Sequence, residues 1–591
     1  MPETLLATLM NVQPLFESDP MTDNNIKHTP SAYPYPLLIR NLLHDPLQNA
    51  SRQEIVYGDG PRLTYRDLGE RIHRLAAGLA ALGVRPGQTV AVMDWDSHRY
   101  LECYFAVPMM GAVLHMVNIR LSPEQILYTI NHAEDDIILV NGEFLPLLEQ
   151  IHDRFDSPKP LVLLNDAPQA PATALPITAE YEALLAASDP DYAFPDFSED
   201  TRATTFYTTG TTGLPKGVYF SHRQLVLHTL ALRAALAGVG QGRFNRGDVY
   251  MPITPMFHVH AWGLPYVATT LGVKQVYPGR YLPDVLLRLI QREGVTFSHC
   301  VPTILQMLLA SPQLEETDLS RWKVIIGGSA MPQALARQAL ARGIDVFTGY
   351  GMSETCPILT LAQLPPHMQK WRPEQQVEQR CKTGLPIPLV TLRIVDEAMN
   401  DLPHDGVAQG EVVARAPWLT QGYLKDPLRS EELWQGGYLH TGDIGTIDAE
   451  GCLKVTDRIK DVIKTGGEWI SSLDLEDLIL RHPGVAAAAV IGVPDAKWGE
   501  RPLALVVART GMPVSEEAIQ ASLQDYANRG IISTYAVPER IVLVDAIATT
   551  SVGKLDKKKL RQEYAHLGAV QAVEHPAAMA QQPAELELAA A

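Results

Sequence analysis

From Glu54 onward, short apolar runs alternate with longer segments whose apolar residues recur at helical spacing. EIVYG and LTY, separated by the turn DGPR, predict two strands. Leu68, Ile72, Leu75, Leu79 and Leu82 then share one helical face until Gly83 stops the pattern. TVAVMDWD predicts a strand, a helix follows from Arg99, VLHMVN returns as a strand, Pro123 to His132 as a helix and DIILVN as a strand. Further on, VYMPITP, KQVYPG, a helix over 283–293, VTFSHCVP, KVIIGG and a helix from Pro332 to Arg342 repeat the alternation. Such alternation builds a parallel sheet covered by helices, so the fold class is predicted to be α/β. The most apolar long stretch, CYFAVPMMGAVLHMV at 103–117, is interrupted by Pro108 and Gly111. It falls short of the roughly 20 residues that span a bilayer, and reads as a buried helix and its exit.

Beyond Trp371 the strands shorten and Gly and Pro punctuate them: VTLRIVDE, GEVVARAP and YLHTGDIGTIDAEGCLKVTDRIKD predict a small β-rich lobe. From about Lys460 a glycine pair, a helix from Ser471 to Arg481, the strands AAAAVIGVPD and PLALVVA, a helix through Asp525 and the strand RIVLVD suggest a compact lid. Residues 1–32 are polar and aperiodic and residues 567–591 are rich in Ala, Gln, Glu and Pro, so both ends are expected to be disordered. The expected organisation is an arm (1–32), a large N-terminal domain of stacked α/β sheets with a small β lobe (33–458), a small mobile α+β domain (459–566) and a tail (567–591).

Composition narrows the partners. A chain of 591 residues exceeds what one core accommodates. A formal charge of −18 argues against nonspecific binding to nucleic acid or anionic membrane, so an anionic substrate must be met by local cations. Cys103, Cys300, Cys356, Cys381 and Cys452 lie far apart, without zinc or disulfide spacing, which fits thiols in a reducing, cytoplasmic compartment. The opening MPETLLATLM lacks a basic patch and is a poor secretory signal.

The candidate chemistry centres on Thr208 to Gly217, TTGTTGLPKG, with three glycines, four threonines and a lysine in ten residues. Glycines let backbone amides approach phosphate oxygens, threonine hydroxyls donate to them and Lys216 supplies charge. It is not a helix-opening Walker loop, because Gly217 follows the lysine and GVYF reads as a strand; the loop joins two strands. A capping box at Ser221 and Gln224 then opens the helix carrying Leu225, Val226 and Leu230. GGSAMP (327–332) and TGYGMSET (348–355) follow strands and are candidate walls of one pocket, as ligands gather at such ends in open α/β sheets.

TTGTTGLPKG, YGMSET, YLHTGD, DRIKDVIKTGGEWIS and TSVGKLDKKKLR occur in the order and spacing of the adenylate-forming acyl-CoA synthetases, and residues 35–565 resemble that family. MPITPMFHVHAWGLPY and KTGGEWISSLDLEDLI are most similar to the medium- and long-chain fatty-acyl-CoA ligases. The resemblance implies that a carboxylate and MgATP give acyl-AMP and pyrophosphate, after which coenzyme A gives a thioester and AMP. It implies phosphate contacts from Thr208, Thr209, Gly210, Thr211, Thr212, Gly213 and Lys216, and Mg²⁺ coordination by Glu354 with Thr208. Tyr350 is similar to the residue that stacks on adenine, Ser353 to one that bonds a phosphate, and Gly328 and Ser329 to those flanking the base. Asp443 and Arg458 match the ribose contacts, and Lys554 the lysine that bridges carboxylate and α-phosphate. Lys460 falls at the hinge; Gly466, Gly467 and Trp469 would line the pantetheine route, and Lys464 would touch the intermediate. His258, Val259, Trp262 and Gly349 resemble residues of the acyl channel. The segment PMFHVHAWGLPY has no Lys or Arg for a second carboxylate, which favours an apolar monocarboxylate. The alternatives are an aryl or short-chain acid, or a carrier-protein acceptor. The resemblance also suggests a homodimer, with peripheral membrane contact open.

Overall fold

The structure is a computed structural model that describes residues 26–167, 169–208, 214–238, 242–465, 468–495, 497–550 and 555–568, the side chains of 468 and 469 excepted. Residues 1–37 and 38–591 form two units. In the first, Ala32 N donates to Thr29 O at 2.9 Å in a turn, and no helix or strand is present among the described residues.

Two sheets build the large domain. In spatial order the first comprises Ile177–Glu180, Leu161–Leu164, Ile137–Asn141, Thr89–Met93, Val113–Met116, β1 (Arg202–Thr208) and β2 (Lys216–Ser221). All its pairs are parallel except β1 with β2, an antiparallel hairpin across the glycine- and threonine-rich loop. The second sheet has nine strands with a parallel centre that includes Val249–Pro252, β3 (Phe297–Cys300), β4 (Lys323–Ile326) and β5 (Asp345–Gly351). The helix His98–Met109 lies between the layers, touches strands of both and is buried along its whole length. That accounts for the apolarity of 103–117, and no described helix is long and apolar enough to cross a membrane.

Helix starts follow the local chemistry. Thr64 with Asp67 and Ser221 with Gln224 form reciprocal capping boxes, and Leu68, Ile72, Leu75 and Leu79 are buried as their spacing predicts. Leu82 is instead the C-cap, and Leu230 faces solvent. KVIIGG is strand only to Ile326, which leaves its glycine pair outside the ladder.

The small lobe is a four-stranded antiparallel sheet of Thr391–Val395, Gly410–Arg415, β6 (Leu439–Ile447) and β7 (Leu453–Arg458). It begins later than the change in composition near Trp371, because Pro373–Cys381 is a helix and Leu385–Pro386 joins the nine-stranded sheet. Ile394, Val412, Ile447 and Leu453 form its core, and Tyr350 from β5 packs against them. The smaller C-terminal domain is a five-stranded sheet with α1 (Ser472–Leu480) and Glu516–Asn528 over one apolar cluster and α2 (Lys557–Tyr564) over another.

Candidate functional site

The hairpin pairs Thr208 with Lys216 at the mouth of the phosphate-type loop. Thr209, Gly210, Thr211, Thr212 and Gly213 lie outside the described residues, as do Gly466, Gly467 and Lys554 and the side chain of Trp469. Beside β2 runs the segment 420–424: Leu424 N donates to Gly217 O at 2.8 Å, and Val218 bridges Tyr423. Tyr423 thereby reaches two predicted site residues. Its ring lies 4.3 Å from the Lys216 ammonium, and its hydroxyl donates to Glu354 Oε1 at 2.8 Å. Burial, reinforced by Glu354, pushes the Tyr423 phenol far above its usual pKa, so it stays a donor.

Glu354 is 7 % exposed and sits in the short turn Ser353–Thr355, which Ser353 opens. Among the described residues its side-chain partner is the Tyr423 hydroxyl rather than a Lys or Arg. A nearly buried carboxylate held by a hydroxyl fits a hard divalent ion, with the Thr208 hydroxyl available at the strand end. These are the residues that would hold Mg²⁺, which when bound supplies positive charge against the polyphosphate.

A second cluster joins the large domain to the lobe. Tyr350 OH donates to Asp443 Oδ2 at 2.7 Å, and Arg458 Nε lies 3.3 Å from Asp443 Oδ1. The ladder sets this up, since Asp443 on β6 is the direct partner of Arg458 on β7. Crowding by protein works against the guanidinium's charge, but Asp443, Asp461, Tyr350 and Glu354 outweigh it and raise the Arg458 pKa. Gly351 is obligatory next to Tyr350: β5 bulges there, and a Cβ would lie 1.7 Å from Pro357 O.

The glycine-rich ends of β4 and β5 are adjacent. A Cβ on Gly327 would stand 2.8 Å from Gly349 O and 3.0 Å from Trp262 Cη2. Gly328, with φ +80°, and exposed Ser329 continue from there. Trp262 ends a left-handed turn in which Val259, His260, Ala261 and Trp262 have φ of 48°, 55°, 46° and 60°. Its indole packs 5.0 Å from the His299 ring of β3, and His260 Nε2 is 2.8 Å from Thr204 Oγ1 of β1. The turn is entered through Asp96, which accepts from Met256 N at 2.8 Å and from the Tyr281 hydroxyl; burial raises this carboxyl to about 7. His258 N donates to Pro255 O at 2.9 Å just before the turn. Burial lowers His228, His260 and His299 to about 3, so all three rings are neutral.

Lys460 follows β7, and desolvation followed by Arg458 lowers its pKa. Lys464 stands in the C-terminal sheet, where its N–H donates to Glu500 Oε2 at 3.0 Å. Thus Lys216 and Glu354 converge on Tyr423, Tyr350 and Arg458 on Asp443, and Gly349 and Trp262 on Gly327. The residues that sequence reasoning missed are Tyr423, Asp96 and His299. QGYLKD, the setting of Tyr423, carries no phosphate-binding signature that would have marked it.

The AMP-binding enzyme family matches residues 44–424, and the AMP-binding enzyme C-terminal domain matches 474–554. The chain belongs to the AMP-binding enzyme family. It is 42% identical to a long-chain-fatty-acid–CoA ligase of Thermus thermophilus over 90% of this chain and 98% of that one. A 3-methylmercaptopropionyl-CoA ligase of Ruegeria lacuscaerulensis is 39% identical, covering 90% and 97%, and a medium-chain-fatty-acid–CoA ligase of Ectopseudomonas oleovorans 35%, covering 89% and 96%. Among solved structures, ATP-bound MatB from Rhodopseudomonas palustris matches with a TM-score of 0.78 at 26% identity, over 90% of this chain and all of that one. Apo MatB, at the same identity and coverage, gives 0.69. This AMP-binding enzyme is therefore an acid–thiol ligase: a carboxylate and ATP yield acyl-AMP and pyrophosphate, and coenzyme A then yields acyl-CoA and AMP.

The chemistry needs cations, because an anionic nucleophile approaches a polyanionic nucleotide and pyrophosphate departs with charge. Lys216 offers such charge beside the loop. Tyr423 orients Glu354, and Asp443 presents carboxylate oxygens between Tyr350 and Arg458, suited to a vicinal diol.

Proposed function

We propose that this ligase activates medium- to long-chain fatty acids, with the acyl group lodged against the Met256–Trp262 segment and the adenylate between Glu354, Tyr350 and Asp443. The observation that carries this reading is the character of that wall. Met256, Phe257, Val259, Ala261 and Trp262 are all nearly buried, and the one imidazole among them that is buried, His260, is neutral. A second carboxylate or an ammonium on the substrate would have no partner there. Lys554 would serve adenylation from a C-terminal domain (459–566) pivoting about Lys460, which would later bring Lys464, Gly466, Gly467 and Trp469 to the coenzyme A route. The phosphates would meet Thr208–Gly213 and Lys216, with Ser353, Gly328 and Ser329 completing the nucleotide site. Five free cysteines, four of them buried and Cys381 half-buried, support a reducing, cytoplasmic setting.

The test is a panel of saturated acids from C4 to C18 with ATP and coenzyme A, thioesters being quantified by mass spectrometry. The highest kcat/KM is expected within the medium- to long-chain range. A preference for 3-methylmercaptopropionate or an aryl acid over every fatty acid would overturn the substrate reading. Acyl-AMP formation without any CoA thioester would point to a carrier-protein acceptor.

A further inference from the structure

The chain leaves the small lobe at Arg458 and enters the C-terminal sheet at Ile463, so β7 and α1 stand on opposite sides of the connection 459–462. A buried polar chain ties them across it. Asp457 Oδ2 on β7 accepts from Ser472 N at 2.7 Å and from Ser472 Oγ at 2.6 Å. The same hydroxyl accepts from the Lys557 ammonium of α2 at 2.6 Å, and that ammonium pairs with Glu476 Oε1 of α1 at 2.8 Å. Val490 N also donates to Glu476 Oε1, at 2.8 Å. All four side chains are buried, with Asp457 at 2 % and Ser472 at 0 % exposure.

The distribution of charge makes this chain releasable. Lys557 and Glu476 both belong to the C-terminal domain, so that pair remains neutral whether or not Asp457 is docked. Asp457 belongs to the lobe and, once released, can be solvated. What it relinquishes is a first-turn amide of α1 and a hydroxyl, both of which water can satisfy. Buried ion pairs are weak evidence for stability and better attested as devices that select one arrangement. Other ties between the domains among the described residues are lighter: Ser471 Oγ donates to Thr456 O at 2.6 Å, Lys454 meets Asp474 at 3.1 Å in a half-exposed pair, Gln333 N donates to Asp477 Oδ1 at 3.0 Å, and Gln306 Nε2 donates to Ala486 O at 3.3 Å. Over the whole chain the TM-score is 0.78 against ATP-bound MatB and 0.69 against apo MatB.

We propose that Asp457, Ser472 and Lys557 form a latch that holds the C-terminal domain in the pose used for acid adenylation, with Lys557 a positioning residue for that half-reaction. The inference rests on the reading that the C-terminal domain pivots near Lys460. Lys557→Met keeps the apolar stem and removes the ammonium. Acid-dependent exchange of labelled pyrophosphate into ATP is expected to fall about tenfold or more, while conversion of supplied acyl-AMP and coenzyme A to thioester changes by less than about threefold. Asp457→Asn, which keeps an acceptor for Ser472 N without the charge, should fall between the wild type and Lys557→Met in exchange. Spin labels at Glu397→Cys and Glu517→Cys, both exposed, in a Cys381→Ser background read the pose directly. The principal distance seen with ATP should lose population in Lys557→Met and, to a smaller degree, in Asp457→Asn. Equal loss of both half-reactions with an unchanged distance distribution and a lowered Tm would reduce the chain to a stabilising contact, and selective loss of thioester formation would assign the latch to the other pose; either overturns the proposal. A wild-type distance identical with ATP and with acyl-AMP plus coenzyme A would instead refute the pivot itself, and the latch with it.

Discussion

At the scale of single residues, charge was visible in the sequence and its organiser was not. Lys216 stands in a loop whose glycines and threonines suit a phosphate, whereas Glu354, Asp443 and Arg458 were singled out by the likeness of their motifs to the adenylate-forming acyl-CoA synthetases. Tyr423 was not, because its meaning comes from a contact with Glu354 across 69 positions. Its hydroxyl holds one carboxylate oxygen and its ring carries the Lys216 ammonium, so Tyr423→Phe separates the two roles. The ring and the cation contact remain, and only the hydrogen bond to a charged group is lost. Such bonds contribute about 1.5–3 kcal/mol, so pyrophosphate exchange is expected to slow roughly ten- to a hundredfold with a raised Mg²⁺ requirement. Tm should stay near that of the unmodified enzyme. Exchange at the wild-type rate and Mg²⁺ dependence would mean that Glu354 does not need this donor.

At the scale of elements, periodicity carried far. The helix carrying Leu68, Ile72, Leu75 and Leu79, the two strands joined by the phosphate-type loop and the capping box at Ser221 all followed from spacing and cap chemistry, whereas the antiparallel pairing of those strands did not. The turn Val259–Trp262 did not, because its four residues have side chains and nothing local favours positive φ before Gly263. Tertiary contacts impose it: Asp96 holds Met256 N, Thr204 holds His260, and Gly327 and His299 receive the indole. The lobe boundary escaped for a related reason, since composition shifts at Trp371 but strand pairing shifts only after Pro386. A left-handed residue costs about 1–2 kcal/mol when it bears a Cβ. Ala261 and Ala336, the latter within the helix Gln333–Ala341, are both fully buried, so Ala261→Gly and Ala336→Gly lose the same methyl and incur the same unfolded-state entropy. Ala261→Gly should therefore come out about 1–2 kcal/mol less destabilising than Ala336→Gly in urea unfolding. Equal effects would show that the turn is not strained.

At the scale of the whole molecule, the alternation of strands and helices made two covered sheets foreseeable, whereas the order in which strands from distant parts of the chain stack did not follow from any local pattern. That stacking seals polar side chains inside. His222, His228, His260 and His299 are each lowered to about 3 by burial, so the large domain folds with four neutral imidazoles. An unfolded histidine titrates near 6.5. Between that value and about 3, the unfolded chain therefore binds a proton at each of these positions that the folded one does not. The stability each contributes is complete above pH 6.5 and is lost as pH falls toward 3, at about 1.4 kcal/mol per pH unit per ring. Raised carboxyls such as Asp96 work in the opposite sense, because their penalty develops as pH rises from 3.8 toward 7. A single replacement isolates one imidazole from this sum. His228 accepts from Ile358 N through Nε2 at 3.3 Å, a bond that a glutamine amide oxygen can keep, and its ring occupies the space that a Cβ on Gly263 would need. In His228→Gln the packing loss is the same at every pH, while the dependence of unfolding free energy on pH between 4 and 6 should flatten by about 1.4 kcal/mol per unit. Urea unfolding of the variant and the unmodified enzyme at pH 4.5, 5.5 and 6.5 measures the difference, and parallel lines would mean that His228 is charged in the folded protein.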